Sequence, residues 1–380
     1  MNINKSLFHI IIFPILFFLS PTYAKTVKFK YTSKLANQGE IDAQNDLGWM
    51  YQNGQGVVQN NEKAFECYSK AAVQDCAVAQ ANLGMMYQHG HGVIQNYEKA
   101  FEWYSKAAAQ GDLDAQNNLG WMYQHGQGVI QNYEKAFEWY AKAAAQDNAV
   151  AQTNLGSMYQ NGQGVVQNYK KALEFYKKLA AQGNAGAQNN LGVMYQHGQG
   201  VVQNYEKAFK LYSKAAAQGF LDAQYYLGWM YQHGQGVTQS YEKAFEYYNK
   251  AAAQGYAGAQ NNLGVMYVTG QGIAQNDTKA FEWFNKAAAQ ENADAQNNLG
   301  SMYYKGLCAT QSYEKAFECY SKAAAQGSAS AENNLGVLYE KGQGVPKNYE
   351  KAFECFSKAA ARGDADAQNN LTEMYEKGLV

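Results

Sequence analysis

The chain repeats itself every 36 residues. The motif A-Q-x-x-L-G-x-M-Y, or a near variant, places its glycine at Gly48, Gly84, Gly120, Gly156, Gly192, Gly228, Gly264, Gly300 and Gly336, each 36 residues after the last. A tenth copy carries Thr372 where glycine is expected. The second half of each unit reads K-A-F-E-x-Y-x-K-A-A, with its alanine at Ala64, Ala100, Ala136 and onward to Ala352. Nothing between residues 33 and 380 breaks the register. A period of this length marks a repeat architecture. Each unit is one supersecondary element that cannot bury its own apolar face, so stacking is obligatory and yields a curved rod.

Each unit reads as two helices. In the first, Ala43, Leu47, Met50 and Tyr51 fall at i, i+4, i+7 and i+8 and make one apolar stripe. Gly54 suits a left-handed helix stop, and Gly56-Val57 completes a tight loop. Asn60 stands where an N-cap belongs, with Glu62 favourably placed in the first turn. The second helix carries its stripe on Ala64, Phe65, Tyr68, Ala71 and Ala72, and Gly111 and its equivalents close the unit. The expected fold is therefore all-α, a solenoid of helix-turn-helix repeats over residues 33–380. Tyr31 to Gln38 reads as a lone second helix and Asp364 to Glu376 as a lone first helix, half-repeats that cap the ends. At roughly 10 Å per repeat, the stack would be on the order of 90 Å long.

The first residues differ from the rest. Lys5 gives a positive start, Leu7 to Leu19 is an apolar run broken only by His9 and Pro14, and Thr22-Tyr23-Ala24 offers small residues at a peptidase spacing. Residues 1–24 read as a secretory signal peptide, and residues 25–32 as a short lead-in. The apolar run is shorter than the roughly 20 residues a spanning helix needs. The mature protein is expected in the periplasm or secreted, with no membrane insertion after cleavage. Lys+Arg total 31 and Asp+Glu total 32, so no basic excess exists to neutralise a phosphate backbone, and nucleic acid is not an expected partner.

The stretch Ala115 to Val129, A-Q-N-N-L-G-W-M-Y-Q-H-G-Q-G-V, followed by K-A-F-E-W-Y-A-K-A-A at Lys135 to Ala144, resembles the consensus of the Sel1-like repeat (SLR) family, relatives of tetratricopeptide repeats. The resemblance covers the chain after residue 32, in about nine and a half copies. It implies a right-handed α/α superhelix that scaffolds protein complexes, with exported bacterial members serving envelope functions or contacting host cells. A cysteine-rich branch of the family is linked to penicillin-binding or β-lactamase activity, the alternative function for this chain. That branch carries a cysteine pair in each repeat, and here the corresponding places hold residues such as Ala72 and Gln80. The resemblance therefore does not carry that activity over.

A search for chemistry returns structural roles. His89, His125, His197 and His233 share one repeat position, but equivalent positions lie about 10 Å apart and zinc–nitrogen bonds are about 2 Å, so no metal site follows. Gly54-Gln55-Gly56 recurs in nearly every repeat without a preceding strand, as a turn does and a phosphate cradle does not. Ser240-Tyr241-Glu242-Lys243 and Ser312-Tyr313-Glu314-Lys315 match the S-x-x-K pattern of penicillin-recognising enzymes, yet both serines replace an N-cap asparagine and the companion motifs are absent. Cys67, Cys76, Cys308, Cys319 and Cys355 are odd in number and read as scattered thiols; Cys319 and Cys355 fall at the same repeat position, too far apart to bond. Glu102 and Lys106 pair i, i+4 on a solvated face. No catalytic residue, metal or cofactor is expected.

A partner is expected on the first helices. On a helical wheel, positions equivalent to 45, 49, 52 and 53 fall opposite the core stripe, and in tetratricopeptide-like superhelices the first helix lines the concave surface. Position 45 is usually asparagine, as in Asn117, Asn189 and Asn261, and an amide ladder can pair with an extended peptide backbone. Position 49 varies most: Trp49, Trp121 and Trp229 alternate with Ser157, Val193, Ser301 and Glu373. Exposed tryptophans are natural anchors, and Tyr225 adds aromatic bulk beside Trp229. The expected ligand of this groove is a peptide or protein. Trp103, Trp139 and Trp283, on second helices, border the core and read as packing residues.

Overall fold

A computed structural model describes residues 21–307 and 309–379. Among the described residues there are twenty α-helices and no strand. The chain divides into two compact units, one up to Leu179 and one from Ala180. The first helix of each repeat is called A and the second B. Unit 1 opens with the B helix Pro21–Asn37 and continues through the A/B pairs Ile41–Asn53 with Asn61–Ala72, Ala77–His89 with Tyr97–Ala109, and Leu113–His125 with Tyr133–Ala144; Ala149–Asn161 then packs on the start of Tyr169–Ala181. Unit 2 holds the pairs from Ala185–His197 with Tyr205–Ala217 to Ala329–Lys341 with Tyr349–Ala361, and the A helix Ala365–Glu376.

Local chemistry sets the boundaries. Gly54 ends its A helix at φ 62° and donates its N–H to the Met50 carbonyl. Asn60 sits in extended conformation and its side chain accepts the Lys63 N–H at 2.8 Å, capping the B helix. Ser240 and Ser312 take the same place and accept from Lys243 and Lys315. Inside each A helix one glycine is required by contact. A Cβ on Gly120 would stand 2.7 Å from the Tyr140 ring, and Gly84 and Gly228 meet Tyr104 and Tyr248 in the same way. At the matching place in the last A helix, Thr372 is exposed.

Two hydrogen-bonded ladders and a series of ring contacts tie the helices together. The buried Tyr68 hydroxyl donates to Gln52 at 2.8 Å, and Tyr104, Tyr140, Tyr212 and Tyr248 repeat the bond with Gln88, Gln124, Gln196 and Gln232. The buried Gln80 donates to the Ala72 carbonyl of the preceding B helix and accepts from Gln110 of the following one, so one amide joins three helices. Phe65 meets Tyr87 edge-on at 5.4 Å, a contact repeated from Phe29–Tyr51 to Phe353–Tyr375. Satisfied polar groups of this kind fix register as well as energy, because a slip would orphan each of them in a low dielectric.

Two expectations change. The first helix begins at Pro21 rather than Tyr31, so residues 25–32 are helical. Phe29 already sits at the B-helix phenylalanine place, 36 residues before Phe65, but Thr32 stands where Tyr68 stands in the next unit, which hides the motif from pattern matching. The glycine that closes the repeat is also dispensable. Asp75, Asp147 and Glu291 hold the same left-handed turn at φ near 62°. No atom stands within 4 Å of a Cβ built at Gly111 or Gly183, so the cost there is backbone strain alone. Residues 1–20 and Cys308 lie outside the described residues, and most of the expected signal peptide with them.

Candidate functional site

The A-helix face is built differently in the two units. In unit 1 position 49 carries Trp49, Met85, Trp121 and Ser157. Trp49 keeps 50% of its surface in solvent. Trp121 is half-buried against the clusters formed around Tyr104 and Tyr140. Its indole stacks on His125 at 4.5 Å, and His125 Nδ1 lies 2.9 Å from the Trp121 carbonyl, which can only accept. That nitrogen therefore donates the bond. In unit 2, Trp229 and His233 reproduce the pair at 4.5 Å and 2.8 Å. These histidines complete the tryptophan platforms, whereas the sequence reading weighed them only as metal ligands. The visible signal was their i, i+4 spacing from tryptophan.

The asparagine ladder differs from expectation. Asn117 is half-buried, and its side-chain oxygen already accepts from Asn154 of the next repeat at 3.0 Å. Asn261 is only 8% exposed and accepts from Asn298 at 2.9 Å. Asn189 is 4% exposed. The wheel compared position 45 with one apolar stripe, but an A helix inside a stack has neighbours on both flanks, and the second covers this position. Asn189 Oδ1 is buried without a hydrogen-bond partner. The reason lies in the next repeat, where Tyr226 replaces the donor asparagine and turns its ring onto Tyr212 at 4.9 Å. Tyr225 belongs to the same aromatic cluster, 5.0 Å from Tyr256 and 5.7 Å from Tyr248. Burial raises the Tyr225 phenol above its ordinary range, so it stays a neutral donor.

Unit 2 also holds an apolar slot that sequence reasoning missed. Val265, Val268, Phe284, Ser301, Met302 and Leu307 line a cavity of about 240 Å³, together with Asn298 and Lys305. Three departures from the repeat create it. Val268 stands where most repeats have glutamine, Phe284 where most have tyrosine, and Leu307 where most have glutamine. Val268 and Phe284 remove the Tyr–Gln bond, and with Leu307 they leave an apolar depression.

Other groups are quiet. Trp103, Trp139 and Trp283 are covered by the ammonium groups of Lys106, Lys142 and Lys286 at 4.2, 4.0 and 4.3 Å. Cys67, Cys76, Cys319 and Cys355 are free thiols, and burial pushes Cys355 up to about 11, far from thiolate reactivity. Among the described residues no group of three or more His, Cys, Asp or Glu could hold a metal ion, and no helix is long and apolar enough to cross a membrane.

Comparison with known proteins identifies the architecture. The Sel1 repeat model matches nine consecutive segments, from 41–75 through 329–364. The crystal structure of a protective antigen present in uropathogenic Escherichia coli strains, displaying an SLR fold, is 38% identical, with a TM-score of 0.60 over 95% of this chain and 76% of that one. A Sel1 repeat protein from Oxalobacter formigenes is 32% identical, with a TM-score of 0.56 over 64% of this chain and 96% of its own. No curated protein matches the chain. The nine matched segments coincide with the A/B pairs described above, and the chain belongs to the Sel1 repeat family.

Proposed function

We propose that this chain is an exported scaffold that holds a peptide or protein partner against the A-helix face of its repeats. Sel1 and tetratricopeptide-like repeat scaffolds are protein-interaction modules and are generally non-catalytic. The observation that carries the proposal is Trp49, half in solvent at a position where other repeats make do with Ser157, Val193 or Glu373. Stacking does not demand an indole there, and a rigid aromatic surface presented to water is what interface anchors offer. Trp121 and Trp229 with their stacked histidines, and the slot between Phe284 and Ser301, add further places for apolar side chains. Export rests on Lys5, the apolar run and Thr22-Tyr23-Ala24. The Escherichia coli relative is a protective antigen, which fits a chain carried out of the cytoplasm.

A photo-crosslinking residue placed at Trp49 or Ser301 in the native host should capture one discrete protein, while the same probe at Glu102, exposed on a B helix, should capture none. Equal labelling from all three positions would remove the groove assignment. N-terminal sequencing of the same material should begin near Lys25, and a chain that starts at Met1 in the cytoplasm contradicts export.

A further inference from the structure

The largest exposed aliphatic side chains of unit 1 form a single file. Val58, Ile94, Ile130 and Val166 occupy the same loop position in four successive repeats and are 85, 89, 88 and 86% exposed. They cannot retreat. In each loop the next-but-one residue donates its backbone N–H to an A-helix tyrosine carbonyl, as Asn60 does to Tyr51 and Asn96 to Tyr87, and Gln59 and Gln95 donate side-chain bonds to the same helices. The apolar tips are therefore held in water by a rigid frame. In unit 2 the position begins with Val202 but continues as Thr238, Ala274, Thr310 and Pro346, so stacking does not require an aliphatic there. One exposed aliphatic tip is ordinary on a protein surface, but four aligned along one edge offer a second body a regular row of contacts.

What covers the file must present aliphatic groups at the interval of the repeat, roughly 10 Å. The file itself has that interval, and its order, Val-Ile-Ile-Val, reads the same in both directions. The neighbouring charge supplies the orientation. Four residues beyond each tip, in the first turn of the B helix, stand Glu62, Glu98, Glu134 and Lys170, all exposed. Laid antiparallel on a second copy, Val58 meets Val166 and Glu62 faces Lys170 at both ends, while Ile94 meets Ile130 in the middle. The central Glu98 and Glu134 then face each other with Lys99 and Lys135 alongside and add no attraction. Laid parallel, every glutamate meets its own twin and Lys170 meets Lys170. We infer that the loop edge of unit 1 is a self-association surface, on which a second copy of this chain docks antiparallel through Val58, Ile94, Ile130 and Val166. A two-fold arrangement makes the contact isologous and closed. Eight aliphatic side chains make a small interface, below about 1,200 Å² in total, in the weak and transient class.

Sedimentation velocity on untagged protein purified from the native host tests this. Monomer should convert reversibly to dimer between about 5 and 500 µM, the range expected of so small a contact. Ile94→Asp with Ile130→Asp should raise the dissociation constant by about 100-fold or more. Circular dichroism should show unchanged melting, because both side chains lie in water in the monomer. Glu62→Lys alone and Lys170→Glu alone should each weaken the dimer a few-fold, and the two together should restore it. A chain that stays monomeric over the whole range, a dimer indifferent to the aspartates, or charge variants that do not rescue each other would each overturn the proposal. Binding of the monomer to phosphatidylcholine vesicles through these tips, lost in the aspartate variant, would also overturn it by assigning the file to a lipid surface.

Discussion

Unit 1 and unit 2 are written in one repeat and differ in how strictly they keep it. In unit 1 every described B helix from Asn61 onward buries a tyrosine, Tyr68, Tyr104, Tyr140 and Tyr176. In unit 2 the same place reads Tyr212, Tyr248, Phe284, Tyr320 and Phe356. At two of these places the side chain follows its neighbour, and at Phe356 it does not, since Glu340 takes the glutamine place there. Phe284 stands opposite Val268, and Tyr320, whose usual glutamine is Tyr304, meets Ser301 at 3.1 Å instead. The same coupling appears elsewhere in unit 2. Where the amide ladder loses Gln for Glu332, the residue 30 positions on changes from glutamine to Arg362, and the two form an ion pair at 2.8 Å. The lesson is that the repeat constrains pairs rather than single residues. Tyr226 departs from it as Phe356 does, because it left Asn189 without its donor.

The largest effect that can break this comparison is alkaline unfolding. Burial raises the phenols of Tyr68, Tyr104 and Tyr140 in unit 1 and of Tyr212, Tyr248 and Tyr320 in unit 2, the last to about 12. A group whose folded value is raised gives stability that is complete below its unfolded value and lost as pH climbs through the folded one. For Tyr320, with an unfolded value of about 10, this is about 3 kcal/mol, lost between about pH 10 and 12. Unit 2 holds the larger set, because burial also raises Tyr225, Tyr226, Tyr247 and Tyr256 and outweighs its two phenylalanines, so unit 2 should open first. A brief iodoacetamide pulse at stepped pH, read by mass spectrometry, should label Cys319 before Cys67. The reverse order would show that the tyrosines do not govern base stability.

The next effect is the pair rule itself. Phe284→Tyr places a buried hydroxyl beside Val268 without its usual acceptor and should cost about 1–3 kcal/mol in urea unfolding. Adding Val268→Gln should recover most of that loss. A single substitution that costs nothing would mean that the slot admits water and that the hydroxyl needs no partner.

The smallest effect concerns the strained turns. Glu291→Gly replaces a side chain held at φ 62° by the residue that tolerates it. It should stabilise by about 1 kcal/mol, since relief of the left-handed conformation outweighs the added freedom of the unfolded chain. Asp147→Gly should gain less, because Asp147 also accepts from Lys178 and Gln152. Equal gains at both sites would show those bonds to be worth nothing.

These pairs explain what was legible beforehand. The helix pair, Gly54, the Asn60 cap and the core stripe were readable because each rests on contacts within one period. Position 45 was misjudged because its environment is set by the next repeat, which a single-helix wheel omits. Residues 25–32 were read as a lead-in because only Phe29, Lys34 and a few others survive of the motif. The slot at Phe284 escaped because it arises from three substitutions that meet only in space, although each was visible as a departure from the repeat.

The amide that joins three helices has a consequence for how such a chain can change over time. Its bonds reach 8 residues back and 30 forward, and the tyrosine bond reaches 16. The asparagine bond from Asn154 to Asn117 reaches 37, one residue past the repeat. Excising or duplicating one whole 36-residue block therefore hands each broken bond a chemically equivalent partner from the block now adjacent. Copy number is a nearly neutral variable for folding, open to recombination between near-identical DNA segments, and selection is free to set the chain's length by what it must span.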